Sequence, residues 1–269
     1  MKPYIGITGF MSGGEVRAML DLMPKNCSRK LMVGALIDWR TLNGLTPNKW
    51  PNRYPAIKEI SGIFTDHQAV LNLAHYHTRE LTTLYWQLED IIKSCGPNLH
   101  GLQLNIAWPD PMILKLLRAK PGIQIVLQVG DRAFEMIRHS PERLATKIAE
   151  EYDGLIDRVL LDPSGGTGKE FDPAEIAEYL SALKKTRLDF GLNFGLGVAG
   201  GLSSKNLRRV EPLLSEFPDL SIDAEGRLRN PDDHLDLREA GEYIRGALEM
   251  FWILNGQFFT KGGDRNGFR

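Results

Sequence analysis

The chain has 269 residues, of which 42% are hydrophobic and 25% charged, and its formal net charge is −1. This length fits a single large α/β domain or a compact two-domain α/β protein, and the balanced charge argues against a nucleic-acid-binding surface. Cys27 and Cys95 are its only cysteines. Because neither belongs to a close-spaced Cys or Cys/His motif, we expect no disulfide framework and no structural zinc site.

The sequence gives no sign of secretion or of membrane insertion. The N-terminal residues lack a long apolar signal core, and no apolar run approaches the length that spans a bilayer. We therefore expect a cytoplasmic protein without a membrane partner.

Apolar strand-like runs alternate with helical patterns along the chain. The strands are expected at residues 5–8, 31–38, 69–74, 99–105, 123–129, 155–161, 190–198 and 220–222. Helices are expected at residues 15–23, 56–63, 79–94, 111–118, 131–151, 173–185, 205–214 and 236–254.

Eight such strands over this length favour a closed parallel (β/α)8 barrel over an open sheet. We expect the barrel to occupy residues 1–256, with residues 257–269 forming a tail or an interface arm. The segment of residues 41–55 is rich in Asn, Pro and Gly. It reads as a long loop after the second strand and is a candidate lid.

Polar residues stand at the end of nearly every expected strand. Active sites of this fold lie where the strands end, so these residues are candidates for chemistry. The alternative is that polar residues only mark where a strand leaves the core. The candidates are Thr8, Asp38, His75, Asn105, Gln128, Asp162, the Gly200-Gly201 turn, Asp223 and Glu225.

Two glycine-bearing turns each follow an expected strand and precede a helix. The first covers residues 163–172 and the second residues 200–204. This arrangement presents backbone N–H groups to an anion, although a glycine turn can also be purely structural. The Gly168-Lys169 pair is followed by Glu170 rather than Ser or Thr, so it is not the phosphate loop of nucleotide hydrolases. We therefore expect a phosphorylated small molecule as ligand.

At these turns the sequence resembles phosphoribosylanthranilate isomerase, a (β/α)8 barrel of tryptophan biosynthesis. The resemblance covers the C-terminal third in the family's order and extends only loosely to the N-terminal half. It rests on Leu160-Leu161-Asp162, residues 165–168 with Phe171-Asp172, Ala199-Gly200-Gly201-Leu202 with Asn206, Gly226, and more loosely on Ile7-Thr8-Gly9 and Gln103-Leu104-Asn105.

The resemblance implies an Amadori rearrangement of an N-linked ribosyl phosphate without metal or organic cofactor. It makes Asp162 the general acid on the sugar ring oxygen. It also implies that backbone amides of the last three strand-end loops hold the phosphate, as in ribulose-phosphate binding barrels. Those loops contribute Gly166, Gly168, Gly200, Gly201 and Gly226.

Three positions depart from the family. Thr8 stands where the family has its proton-abstracting cysteine, and an alcohol stays protonated at physiological pH, so Thr8 cannot simply replace the thiol. The turn Asp223-Ala224-Glu225-Gly226 replaces the family's small serine-rich turn, and a carboxylate so near the expected phosphate would repel it unless it turns away or pairs with Arg227. For the arginine that meets the substrate's carboxylate, Arg40 and Arg53 both remain candidates.

The sequence leaves two functions open. One is a related isomerase-like enzyme acting on a phosphorylated sugar, in which Asp38 or Asp223 supplies the base and Asn105 and Gln128 contact the substrate. The other is a non-catalytic phosphometabolite-binding barrel, serving as a sensor or an assembly subunit. His75 and His77 lack a third ligand, so no metal is expected. A homo-oligomer is compatible with the same helix patterns.

Overall fold

The computed structural model describes residues 2–120, 122–164 and 172–254. Its eight strands form one closed parallel barrel in chain order, with the eighth strand paired to the first. The barrel predicted from the sequence is therefore confirmed. The strands are β1 (Tyr4–Thr8), β2 (Lys30–Asp38), β3 (Val70–His77), β4 (Gly101–Leu104), β5 (Gln124–Val129), β6 (Arg158–Leu161), β7 (Gly195–Val198) and β8 (Ser221–Ala224).

Helices surround the barrel and cover its outer face. The described helices are α1 (Gly13–Leu20), α2 (Trp39–Leu42), α3 (Ile60–Ile63), α4 (Leu84–Cys95), α5 (Pro111–Arg118), α6 (Asp131–Met136), α7 (Pro141–Glu151), α8 (Pro173–Phe190), α9 (Glu211–Leu214) and α10 (Leu237–Leu254). Short 3-10 turns occupy Pro51–Arg53, Ile57–Glu59, Leu207–Val210 and Gly226–Leu228. None of the helices in the described ranges is both long and apolar enough to cross a membrane.

Local sequence explains where several helices begin. Asp110 and Asp172 cap α5 and α8 with their carboxylates, and a proline follows each of them at the first helical position. Proline fits there because its missing N–H would have no intrahelical partner. Ser12 and Glu15 form a reciprocal capping box at the start of α1.

Strand alternation divides the apolar side chains into two sets. The larger set packs between the strands and the helices, and a separate small cluster fills the barrel interior. Because side chains alternate along a strand, residues two or four positions after an interior residue also face the inside of the barrel. The interior cluster consists of Tyr4, Met32, Leu71, Leu73, Val126, Leu160 and Ala199.

A buried arginine closes the floor of the barrel. Arg158, only 1% exposed, donates from Nη1 to Ser221 Oγ at 2.7 Å, and its guanidinium carbon lies 4.9 Å from the centre of the Tyr4 ring. A Cβ at Gly195 would lie 2.6 Å from Arg158 Nη1, so the glycine leaves room for the guanidinium. Hydrogen bonds to Ser221 and to backbone carbonyls offset the cost of burying this charge.

Several element boundaries differ from the sequence expectation. The expected seventh strand begins at residue 190, but Phe190 ends α8 and Gly191 terminates that helix at φ +66°. The expected helix of residues 79–94 starts only at Leu84. The expected long loop of residues 41–55 overlaps the end of α2 and carries the 3-10 turn Pro51–Arg53. Residues 257–269, the expected tail, lie outside the described residues.

Candidate active site

Five polar side chains lie together at the barrel mouth, where the strands end. Four of them are predicted site residues, and Gln103 is the fifth. Thr8, Gln128 and Asp162 follow the interior residues Tyr4, Val126 and Leu160 by an even number of positions, so strand alternation turns them inward. Gln103 and Asp223 also point inward, because they bond to each other across the barrel. Their placement at one end of a closed barrel follows from the parallel pairing of all eight strands. These residues are Thr8, Gln103, Gln128, Asp162 and Asp223.

Asp223 is a buried carboxyl group at this end of the barrel. It is 4% exposed, and both of its oxygens accept a hydrogen bond from Thr8 Oγ1 at 3.1 Å. Gln103 Nε2 donates to Asp223 Oδ2, also at 3.1 Å. Burial raises the pKa of Asp223 to about 7 despite the two donors, and the nearby charges of Glu225 and Asp162 raise it further. This carboxyl group is therefore able to gain or lose a proton near neutral pH.

Asp162 follows β6 and is only partly buried. Its Oδ1 accepts from Ser164 Oγ at 2.7 Å and from Ser164 N at 3.2 Å, and its Oδ2 accepts from Gln128 Nε2 at 2.8 Å. Desolvation raises the pKa of Asp162, although the hydrogen bonds from Ser164 and Gln128 oppose that rise. The side chain thus combines a perturbed carboxyl group with access from the mouth.

Two glutamines connect these carboxyl groups. Gln128 donates to Asp162, Gln103 Nε2 donates to Gln128 Oε1 at 3.0 Å, and Gln103 also donates to Asp223. The negative charge of Asp162 is one of the causes that raise the pKa of Asp223. The network therefore holds two carboxyl groups in one site, of which Asp223 is buried and Asp162 is partly exposed.

The turn after β7 lies directly against Asp162. Gly200 and Gly201 adopt φ values of +114° and +59°, which L side chains rarely adopt. A Cβ at Gly200 would lie 3.3 Å from Asp162 Oδ1 and 3.4 Å from Ser164 Cβ. Asn206 fixes the turn by donating from Nδ2 to the carbonyl of Gly201 at 2.8 Å. Within the described ranges, the N–H groups of both glycines lack a backbone acceptor.

The other glycine turn is only partly visible. Gly166 and Gly168, predicted from the sequence to bind phosphate, lie outside the described residues. Their role remains a prediction. Ser164, which precedes them, is buried and bonds to Asp162.

The loop after β8 is tied to the segment that follows β2. Arg53 Nη1 donates to Glu225 Oε1 at 2.9 Å, and Arg53 Nη2 donates to Asp233 Oδ1 at 2.6 Å. The Arg53 guanidinium carbon also lies 4.7 Å from the centre of the Trp50 ring. In the structure Glu225 thus pairs with Arg53, a partner that the sequence did not indicate. Gly226 lies beside this pair, because a Cβ there would be 3.7 Å from Arg53 Nη1.

Three predicted site residues lie at the rim without joining the Asp162–Asp223 network in the described structure. Asp38 caps α2, its Oδ1 accepting from Thr41 N at 2.7 Å. Arg40 donates from Nε to the carbonyl of Thr46. Asn105 follows β4, and its carbonyl lies 3.1 Å from His77 Nδ1. These contacts give all three a local structural role, and any part in ligand binding stays a prediction.

Sequence reasoning missed two residues of the site. Gln103 appeared only as part of a family match, yet a glutamine between Leu102 and Leu104 in a strand signals an inward polar position. Arg229 donates from Nη2 to the carbonyls of Thr8 and Gly9 at 2.6 and 3.0 Å. No sequence signal marks Arg229, because its position depends on how the loop after β8 folds.

A parallel (β/α)8 barrel with its polar cluster at the carboxyl ends of the strands belongs to the triosephosphate isomerase barrel class of folds. No protein-family model and no curated protein matches the sequence.

Solved structures nevertheless resemble the whole chain. Phosphoribosyl anthranilate isomerase from Thermotoga maritima is 16% identical with a TM-score of 0.62, and the match covers 92% of this chain and 99% of that one. The Thermus thermophilus enzyme is 13% identical with a TM-score of 0.61, at the same coverages. The 3-hexulose-6-phosphate synthase of Salmonella typhimurium is 12% identical with a TM-score of 0.56, again covering 92% and 99%. At these identities the likeness shows the fold alone.

Proposed function

We propose that this protein is an acid–base enzyme acting on a phosphorylated sugar or a ribosyl-phosphate derivative. The observation that carries the proposal is the pair Asp162 and Asp223, joined through Gln128 and Gln103 at the mouth of the barrel. Two carboxyl groups with raised pKa values provide an acid and a base in one site. A structural ion-pair network would instead lower carboxyl pKa values.

We assign the two roles from the family resemblance and from the exposure of each acid. The family resemblance assigns the general acid to Asp162, which is the more exposed of the two. On an N-linked ribosyl phosphate, Asp162 gives its proton to the ring oxygen as the C1–O bond breaks and the nitrogen lone pair forms C1=N. Asp223 then takes the proton from C2, and that C–H electron pair forms C1=C2 while the C1=N pair returns to nitrogen.

Thr8 has a supporting role in this scheme. Its hydroxyl cannot serve as the base, because an alcohol stays protonated at neutral pH. Donating to both oxygens of Asp223 instead lowers the proton affinity of that carboxyl group. Asp223 therefore stands in for the cysteine that the family places on β1, from the neighbouring strand β8.

The phosphate group binds in the turns after β7 and β8. Gly200 and Gly201 adopt an anion-compatible turn beside Asp162, and Gly226 begins the 3-10 turn Gly226–Leu228. Arg53 pairs with Glu225 next to Gly226, which weakens the repulsion expected for a phosphate there. The names of the similar barrels, which include phosphoribosyl and hexulose-phosphate enzymes, point to the same ligand class.

Hydrogen–deuterium exchange at C2 of ribose 5-phosphate tests this proposal without knowledge of the natural substrate. In D2O, the wild-type protein should remove the C2 proton of the open-chain aldehyde and replace it with deuterium, as seen by proton NMR. Asp162→Asn and Asp223→Asn should each slow exchange by about 10²–10⁴-fold. Asp38→Asn, which keeps an N-cap for α2, separates Asp223 from the other candidate base. Full exchange in both Asp162→Asn and Asp223→Asn would refute the assignment.

A second function is favoured by Thr8. The family's thiol is absent, and the hydroxyl in its place is used to hold Asp223. In this alternative the chain is a phosphometabolite-binding barrel without chemistry. Calorimetric titration with ribose 5-phosphate separates the two, since binding without any deuterium incorporation supports the non-catalytic reading.

A further inference from the structure

His75 points into the barrel on β3, the strand that neighbours Gln103. It is the register partner of Gln103, whose side chain crosses the interior to Asp223. It also follows the interior residue Leu73 by two positions. Its neighbour Tyr76 points the other way, because the Tyr76 hydroxyl donates to Gln87 on α4 at 2.5 Å. His75 therefore faces the same space as Gln103.

Two buried polar atoms in this space lack a protein partner. His75 is 4% exposed and Gln103 is 1% exposed. In the described part of the chain, neither His75 Nδ1 nor Gln103 Oε1 has a hydrogen-bond partner. A buried polar group without a partner is destabilising, so two on adjacent strands call for an explanation.

The chemistry of the two atoms restricts what can lie between them. Burial lowers the pKa of His75 to about 3, so its imidazole is neutral at physiological pH. A neutral imidazole offers one donor and one acceptor, and a glutamine oxygen is an acceptor. A hydroxyl group satisfies both, because it donates to Gln103 Oε1 and accepts from an N–H of His75. A phosphate oxygen cannot donate to Gln103 unless it is protonated.

We propose that His75 and Gln103 bind a hydroxyl group of the sugar part of the ligand. This inference rests on the proposed function and adds to it the group that recognises the carbon chain rather than the phosphate. His75 acts here as an uncharged substrate-binding residue. Its place next to Gln103 would set the sugar carbons against Asp223.

The test compares two probes on matched variants. Isothermal titration calorimetry is carried out with ribose 5-phosphate and with inorganic phosphate on the wild type and on His75→Leu, His75→Asn and His67→Leu. His75→Leu should weaken ribose 5-phosphate binding by about tenfold or more and leave phosphate binding unchanged. His75→Asn should recover part of the loss because an amide can still donate. His67→Leu, an exposed histidine that precedes β3, should behave as wild type.

A spectroscopic readout separates a binding role from a structural one. In ¹⁵N NMR, the ring nitrogens of His75 should shift when ribose 5-phosphate is added and stay unchanged with phosphate. Unchanged ribose 5-phosphate affinity in His75→Leu, or ring nitrogens that do not respond to the sugar, would overturn this inference and leave the acid–base proposal intact. If the wild type binds neither probe, the phosphosugar proposal fails and this inference fails with it.

Discussion

The hydroxyl oxygen of Thr8 lies 3.1 Å from each carboxylate oxygen of Asp223. The two residues stand on β1 and β8, the strands whose pairing closes the barrel. Thr8 stands at the position of the family's catalytic cysteine, and in the structure its hydroxyl donates a hydrogen bond to the buried carboxylate of Asp223. In the proposed site this acid therefore comes from β8 rather than from β1.

Removing the Thr8 hydroxyl should raise the pKa of Asp223. The hydrogen bond favours the ionised carboxylate, so Thr8→Val shifts the titration above its value of about 7. Thr8→Ser keeps the hydroxyl and should leave the titration close to wild type. Carbon-13 NMR of the labelled carboxyl group measures both. Equal titration midpoints in Thr8→Val and Thr8→Ser would show that this contact does not control the acid.

Asp223 should make the protein less stable as the pH rises. Its folded pKa is raised, so the folded state holds a proton that the unfolded state has already lost. The associated stability is present at low pH and is lost as the pH rises through about 7. Asp223→Asn removes this dependence, so the difference in free energy of unfolding between variant and wild type should change by on the order of 3 kcal/mol between about pH 5 and pH 8.

Urea denaturation at the two pH values measures this difference. The variant should gain relative to wild type at the higher pH while losing activity. A pH-independent difference between the two proteins would contradict the raised pKa. Asp162, whose pKa is also raised, should contribute in the same direction.

Gly6 provides the space that the Asp223 carboxylate occupies. A Cβ at Gly6 would lie 2.9 Å from Asp223 Oδ1, 2.9 Å from the carbonyl oxygen of Ile222 and 2.7 Å from Met32 Cε. Gly6→Ala should therefore lower the free energy of unfolding by about 1–3 kcal/mol. Gly62→Ala is the control, because no atom lies within 4 Å of the added methyl group. Similar stabilities for the two variants would show that the barrel interior accommodates a methyl group at Gly6 without strain.

Arg53 should hold the segment after β2 against the loop after β8. Arg53→Gln leaves Glu225 and Asp233 without their shared cation, although both are partly exposed and screened. Amide hydrogens around Trp50–Tyr54 should then exchange about tenfold faster, equivalent to about 1.4 kcal/mol. Lys185→Gln breaks an exposed pair with Asp189 and should change nothing measurable. Unaltered exchange in Arg53→Gln would show that the segment is held by other contacts.

The sequence predicted the barrel and its inward polar residues because both depend on local patterns. Strand alternation places Thr8, Gln128 and Asp223 at the mouth once the strands are assigned. The predicted start of the seventh strand at Phe190 was wrong. Phe190 is apolar, which favours a strand, but in the structure it lies 69% exposed on the last turn of α8. The Arg53–Glu225 pair was not predictable, since it joins residues 172 positions apart through two irregular loops.

The most direct test of the account is an NMR titration of the Asp162 and Asp223 carboxyl groups, with and without ribose 5-phosphate. We expect Asp223 to titrate near 7, Asp162→Asn to lower that midpoint by removing a neighbouring negative charge, and the sugar phosphate to perturb both resonances. Titration of Asp223 in the ordinary carboxyl range, unaffected by Asp162→Asn and by the sugar phosphate, would contradict the claim that these two acids form the active site.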